Sequence, residues 1–419
     1  MRKFIFKHLN KNDSLLKHSI IVFIGSTIVN ILNYLYQLFM GRALGPSDYG
    51  TLGALFSILY IVTFSFGAIK TVVMKFTSKY YAKEDYGKIK GLFLKSMRIL
   101  SLYGIMGLAL FFIFSPLVAG FLNISEVNLL YLTGVFLLLS LISPVPIGVI
   151  NGLQRFNTLN IVSVLSAFLK LGIGVAAVYM GGRLFGVFFA LNLAQLLALV
   201  ISVLVLAFLF KYKAEKDVEV KLFEYSVPVF VGLTVMYLFV NIDVLLVKHY
   251  FTFVEAGYYA AASIIGKIIL FSSGALLVAM FPKVSLSHEK NEDSSKILKS
   301  TLFYTIIISG LPLILYCVMP TFISHLLFGK DYQISSYIGI FGLVIAIFSV
   351  SNVLVNYNLA IHKTYFTYLL FFLLAFEIIG IMIFHDTLLE VIQVTLVVNV
   401  IMVGYMLFIT RKELGFNLI

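Results

Sequence analysis

Tryptophan is absent from the 419 residues, and cysteine occurs once, at Cys317. A single thiol closes no intrachain disulfide, and no cysteine cluster is present to hold a metal. The seven histidines, His8, His18, His249, His288, His325, His362 and His385, are scattered and form no pair at ligand spacing. Charge is scarce as well. Charged residues make up 12% of the chain, against roughly 25% in an average soluble domain. That excludes a soluble globular enzyme, a disordered chain and a secreted disulfide scaffold.

What is abundant is apolar. Hydrophobic residues make up 61% and mean hydropathy is +1.02. They come in windows of about 20 residues, enough to cross a hydrocarbon core of roughly 30 Å. The expected fold class is therefore an all-α polytopic membrane protein. Without tryptophan, the 24 tyrosines must supply the interfacial belt. Lys3, Lys7, Lys11 and Lys17 precede an apolar run too long for a cleavable signal, which reads as a retained first span.

Hydropathy predicts twelve transmembrane helices. In the first half they fall at 18–40, 50–70, 97–119, 127–149, 159–180 and 185–210. In the second half they fall at 226–247, 258–281, 301–321, 334–356, 365–384 and 390–410. The connectors are short, and the longest, 71–96 and 282–300, read as helical extensions. Of the 31 basic residues, 25 lie at the termini and after even-numbered spans, and four (Arg42, Arg183, Lys248, Lys330) lie on the other side. The positive-inside rule then puts both termini in the cytoplasm of a multi-pass protein of the cell membrane.

A weak internal repeat recurs with an offset near 207 residues. Ser47-Asp48-Tyr49-Gly50 corresponds to Val254-Glu255-Ala256-Gly257, Ile150-Asn151 to Tyr357-Asn358, and Lys170 to Glu377. The expected organisation is two pseudo-symmetric six-helix bundles, 1–215 and 216–419, with a binding site at their interface.

Loop chemistry is thin. Glu215, Asp217 and Glu219 alternate like the acids of a metal-dependent glycosyltransferase, but Lys213, Lys216 and Lys221 interleave them, as in a solvated linker. The spans are more informative. Ser26, Asn30, Asn33 and Gln37 share one face of span 1. Such residues act either as helix–helix glue or as the lining of a hydrated lumen, and a stripe this long favours the lumen. Span 5 offers Ser163, Ser166 and Lys170; span 6, Asn192, Gln195 and Ser202; span 8, Ala260, Ser263, Lys267 and Gly274; span 10, Ser349, Asn352 and Asn356.

Lys170, Asp243, Lys267 and Glu377 lie deep inside spans, where each costs roughly 2.5–3.5 kcal/mol on an insertion scale. They must pair or line water, and intramembrane ionisable groups are functional candidates by default. Lys70, near a span end, is expected to snorkel to the interface. Pro144, Pro146 and Pro312 each remove a helix hydrogen bond, whereas Pro228 opens span 7.

The loop motifs resemble one family. Gly41-Arg42-Ala43-Leu44-Gly45-Pro46-Ser47-Asp48-Tyr49-Gly50 is similar to the distinctive first outer loop of the Wzx-like polysaccharide transporters, in the multidrug/oligosaccharidyl-lipid/polysaccharide exporter superfamily. Gly152-Leu153-Gln154-Arg155-Phe156, Ser226-Val227-Pro228, Asn241-Ile242-Asp243, Gly257-Tyr258-Tyr259, Phe281-Pro282 and Leu327-Phe328-Gly329-Lys330-Asp331-Tyr332 follow in family order.

The resemblance implies two six-helix bundles in a V shape with a central cavity. It also implies alternating access that carries an isoprenoid-linked oligosaccharide from the cytoplasmic to the outer leaflet. The partners it implies are the lipid-linked glycan, membrane lipids, and glycan polymerase or glycosyltransferase enzymes. Nucleic acid is not expected. Lipid II flippases of the superfamily typically add two helices and carry arginines in span 1. Twelve spans with Asn30, Asn33 and Gln37 depart from that pattern.

The expected substrate-binding residues are Lys267, Lys170, Asn30, Asn33, Gln37 and Ser263, because two deep lysines suit a pyrophosphate. Asp243 and Glu377 are the ion-coupling candidates, with proton or sodium as the driving ion. No cofactor, metal site or catalytic residue is expected. A multidrug or cation antiporter of the same superfamily is the alternative reading. An enzyme on lipid-linked sugars is a remoter one, since the outer loops hold no acid–histidine constellation.

Overall fold

The computed structural model describes residues 2–215, 234–290, 292–363 and 366–414, with side chains described except at 2–22, 278, 282, 367 and 412. Ser226-Val227-Pro228 and the expected boundary at 215/216 lie at or beyond the edge of these residues. Among the described residues no strand occurs.

Helix α1 runs from Arg2 to Ser65 but is broken at Gly45, whose φ of 73° and ψ of 172° are not helical. Glycine reaches that conformation without a Cβ clash, and Pro46 follows with no N–H to continue the ladder. Its 64 residues would stretch about 96 Å at 1.5 Å per residue, roughly twice a bilayer with its head groups. It therefore supplies two spans. A second break at Phe66 leads into α2 (Gly67–Tyr81).

The first half continues with α3 (Tyr86–Phe121), α4 (Val127–Ile142), α5 (Pro144–Gly152), α6 (Phe156–Tyr179), α7 (Arg183–Val205) and a 3-10 turn, Ala207–Lys211. The second half has α8 (Ile242–Tyr250), α9 (Phe253–Glu289), α10 (Ser295–Val318), α11 (Pro320–Phe328), α12 (Ser335–Ala360), α13 (Thr367–Ile383), α14 (Leu388–Ile409) and α15 (Arg411–Leu414).

Nine helices among the described residues are long and apolar enough to cross a membrane, counting Phe23–Tyr81 once, and Tyr368–Ile383 is a shorter apolar helix. The span expected at 226–247 falls largely outside the described residues. On α3 and α10, Ile113, Leu117, Ile314 and Leu311 stand exposed in rows. In water such a surface would be an aggregation patch; in a bilayer it is the lipid face.

The chain forms two compact units, one of Met1–Leu44 with Ile58–Thr234, the other of Gly45–Ser57 with Val235–Ile419. In the first, Val72, Val73, Phe76, Ile89, Leu92, Val145 and Val149 form a buried core. Glycines bring α2 and α5 together: a Cβ at Gly148 would lie 2.9 Å from the Lys70 carbonyl oxygen. Asp85 starts α3, its carboxylate accepting the Lys88 N–H at 2.9 Å and the Lys88 ammonium at 2.8 Å.

In the second unit α12 packs against α9, α10 and α14. Thr252 and Glu255 close a capping box at the start of α9. Segment Gly45–Ser57 crosses α9 with almost no side chain between. A Cβ at Gly50 would meet the Gly257 nitrogen at 2.7 Å, one at Gly53 the Ala260 Cβ at 2.6 Å, and one at Gly257 would fall inside the Pro46 carbonyl. The Tyr49 ring packs on Phe328 at 5.4 Å and Tyr332 at 6.1 Å. Several recurring loop motifs thus meet here as packing.

Candidate functional site

In the first unit, α6 presents Lys170 to the first limb of α1. Its ammonium donates to Asn33 Oδ1 at 3.0 Å and lies 4.6 Å from the centroid of the Tyr36 ring. One residue on, the Gln37 amide donates to the Tyr60 hydroxyl at 2.8 Å. Tyr36 and Gln37 are buried, while Asn33, Tyr60 and Lys170 are half-buried. The span-1 stripe is not uniform. Ser26 is exposed and bonds its own Phe23 carbonyl, Asn30 is exposed, Asn33 is half-buried and Gln37 is buried.

Of two other stripes, one ties helices together and one bonds within its own helix. Asn192 on α7 donates to the Leu132 carbonyl on α4 at 3.0 Å, and Gln195 to Ser143 Oγ at 3.0 Å. On α12, Ser349 bonds Ile345 and Asn356 bonds Asn352, all within the helix.

In the second unit, Lys267 on α9 is 5% exposed and donates to Asn241 Oδ1 at 3.0 Å. Asn241 is itself oriented, since its amide nitrogen donates to the Tyr237 carbonyl at 2.8 Å. Two residues on, both Asp243 oxygens are in use: Oδ1 accepts the Val244 N–H and Oδ2 accepts the Tyr259 hydroxyl, each at 2.8 Å. Lys267 and Asp243 interact electrostatically rather than by a direct bond.

Glu377 on α13 is 0% exposed and in the field of Asp243 and Tyr259. Neither of its carboxylate oxygens has a hydrogen-bond partner among the described residues. Ser263, one turn before Lys267, is buried with its hydroxyl unpartnered among those residues. No group of three or more His, Cys, Asp or Glu side chains fit for a metal occurs among the described residues.

The sequence reading did not single out Tyr36 or Tyr60, because a tyrosine in an apolar helix scores as hydrophobic, and it named Tyr259 only as part of a loop motif. Nor did it value Lys248. That lysine is 1% exposed, its ammonium 3.9 Å from the Phe253 ring centroid, in the field of Asp48. Such a cation–π seat substitutes in part for lost water. The only signal available was its position directly after an apolar span.

Solved structures share this fold. One is an inward-facing multidrug resistance MATE family transporter of the MOP superfamily, with a TM-score of 0.73 at 11% identity, covering 95% of this chain and 100% of that one. Another is the lipid II flippase MurJ in an inward closed conformation, at a TM-score of 0.73 and 15% identity over 94% of this chain and 89% of that one. An outward-facing MATE transporter matches at 0.58 with 13% identity, over 96% of this chain and 95% of that one. The likeness is one of fold, shared with solved transporters and with a flippase. Among curated proteins no sequence matches. The sequence profile of one family spans residues 15–288, well over half of the chain, and takes in the motifs around Gly45, Gly152, Asn241 and Gly257. The chain belongs to the polysaccharide biosynthesis protein family.

Proposed function

We propose that the protein is a flippase that carries an isoprenoid-linked oligosaccharide from the cytoplasmic to the outer leaflet by alternating access, for surface polysaccharide or glycan assembly. The observation that best supports this is how its two deep lysines are held. Lys170 and Lys267 each donate to an asparagine oxygen, Asn33 and Asn241. An amide orients an ammonium without itself neutralising it, and Lys267 makes no direct bond to the nearby Asp243, which suits both ammonium groups to an anionic pyrophosphate. Ser263, Gln37 and Asn30 supply further polar groups for the cargo.

Asp243 and Glu377 are the proposed coupling pair. A buried carboxylate with neither oxygen bonded is chemically incomplete, and a proton or sodium ion completes it. Moving one charge through 100 mV is worth about 2.3 kcal/mol. An inside-negative potential therefore drives an anionic head group outward, and the cation serves to reset the empty carrier. The proposed location is the cytoplasmic membrane with both termini inside, beside the glycosyltransferases or polymerase that make and use the cargo.

Complementation of a flippase-null strain tests the reading. Restored surface glycan is expected, and normal membrane abundance without restoration would overturn it. The cation antiporter reading has one observation in its favour, the unpartnered Glu377 carboxylate. Export of a fluorescent organic cation by the purified, reconstituted protein would establish that reading instead.

A further inference from the structure

The first unit contains a third lysine whose surroundings match neither cluster. Spans 2 and 4 are both interrupted at one level: α1 ends at Ser65 before α2 resumes at Gly67, and α4 ends at Ile142 before α5 resumes at Pro144. Between the breaks lies a groove of about 300 Å³, lined by Lys70, Phe136, Ser140, Ser143, Ile147 and Gln195 among others. Gly67 borders it, and a Cβ there would meet no atom within 4 Å. The expectation that Lys70 simply snorkels does not explain this setting.

Charge points to the ligand. Lys70 has no hydrogen bond or ion pair among the described residues, and no carboxylate lines the groove. Its backbone is held in place by the close approach of Gly148. Gln195 donates one N–H to Ser143 Oγ, which fixes its direction and leaves the amide a second N–H. The Ser140 hydroxyl is a further donor. Phe136 and Ile147 make the rest of the wall apolar. The volume is at the small end of ligand sites, roughly 300–1,000 Å³. It accommodates a phosphate and the first carbons of a chain, and excludes an oligosaccharide.

We propose that this groove binds the phosphate end of a membrane amphiphile, with Lys70 as its counter-charge, Gln195 and Ser140 as donors, and Phe136 and Ile147 against the hydrocarbon. The same chemistry could come from an isoprenyl phosphate or from an anionic glycerophospholipid, and the experiment separates the two. The site stands apart from Lys170 and Lys267 and does not depend on the transport reading.

The absence of tryptophan supplies the assay. Phe136→Trp places the chain's one indole in the groove wall. The full-length protein in phosphatidylcholine nanodiscs is titrated with isoprenyl phosphate, phosphatidylglycerol, isoprenol and inorganic phosphate. A saturable emission change is expected with a phosphate amphiphile and not with isoprenol.

Lys70→Gln should weaken binding about tenfold or more, as loss of a charge-assisted contact does, while Lys70→Arg stays within about threefold. A tenfold preference for isoprenyl phosphate assigns the groove to that lipid; equal affinities assign it to bulk anionic phospholipid. No saturable response to either amphiphile, or unaltered affinity in Lys70→Gln, overturns the proposal. If Lys70→Gln does not reach the membrane, Ile147→Phe, which fills the groove, must abolish the response, and a retained response overturns the proposal equally. Binding is read without flipping, so a failed transport reading leaves this result intact.

Discussion

The two lysine clusters share a contact and differ in what surrounds it. In each, an ammonium donates to an asparagine oxygen at 3.0 Å. Around Lys170 stand Tyr36, Gln37 and Tyr60. Around Lys267 stand Asp243, Tyr259 and Glu377, so carboxylates outnumber the lysine. With the offset of 207, Tyr36 corresponds to Asp243, Tyr60 to Lys267 and Lys170 to Glu377. The same three helix positions were furnished twice, once with a lysine and two tyrosines and once with a lysine and two carboxyl groups. A helical scaffold fixes where polar groups gather; side-chain choice sets the chemistry each gathering can perform.

If the clusters did the same work, equivalent substitutions would have equal effects. Unequal effects are expected. Lys267→Ala should lower flipping by about 100-fold or more with insertion intact, since truncating a buried hydrogen-bonded charge costs roughly 2–5 kcal/mol. Lys170→Ala should cost only about tenfold, roughly 1.4 kcal/mol, near the lower end for a hydrogen bond to a charged group. Lys267→Arg should keep part of the activity. Full transport by Lys267→Ala at normal abundance removes the lysine from cargo binding, and rescue of that variant by Asp243→Asn reduces it to a counter-charge.

The two carboxyl groups are expected to act on turnover rather than on cargo affinity. In reconstituted vesicles Asp243→Asn should slow transport about tenfold, the effect of roughly 1.4 kcal/mol, and lose its response to an imposed proton or sodium gradient. Glu377→Gln should do the same. A wild-type response to both gradients in either variant makes that residue structural.

Packing should show the halves to be alike where charge shows them unlike. Gly50 and Gly257, equivalent by the repeat, lie on one another. Gly50→Ala and Gly257→Ala should both destabilise by about 1–3 kcal/mol, the usual cost of overpacking. Gly107→Ala, with no atom within 4 Å of its added Cβ, should instead stabilise by about 0.5–1 kcal/mol as helix propensity dictates. Thermal unfolding in detergent orders the three.

The smallest effect concerns Asp85, the cap of α3. Replacing it with alanine should cost about 1 kcal/mol. Hydrogen bonds from Lys88 and its charge hold the Asp85 carboxyl below its usual range. Its contribution is therefore complete above the ordinary aspartate pKa and fades as pH falls through the lower folded value. Melting curves of both proteins should converge in acid; a constant difference at all pH values would assign the effect to packing.

Much of the fold was legible in the sequence because a membrane span is written as continuous hydrophobicity. Spans expected at 159–180 and 390–410 are found at Phe156–Tyr179 and Leu388–Ile409. The connector 71–96 proved helical, as its pattern suggested, with α2 and α3 running into it. The break at Phe66 was not legible, since no proline marks it. The charged residues of the clusters could be read one by one, but their partners could not. Asn241 beside Asp243 is visible in a motif, whereas its bond to Lys267 joins residues 26 positions apart through packing alone. Lys248 was hidden for the same reason: only the Phe253 ring over its ammonium shows that it is buried.

The seat of Gly45–Ser57 in the second unit has a consequence in time. Gly50 leaves the ribosome 207 residues before Gly257, the surface on which it rests. At about 5–20 residues per second, synthesis of that stretch takes roughly 10–40 s. Through that interval the Gly45–Ser57 stretch exists without its glycine-lined partner. The second unit is thus completed by a piece of chain made near the start, and a nascent chain stalled before residue 257 holds an unmatched helix face that quality-control proteases can recognise.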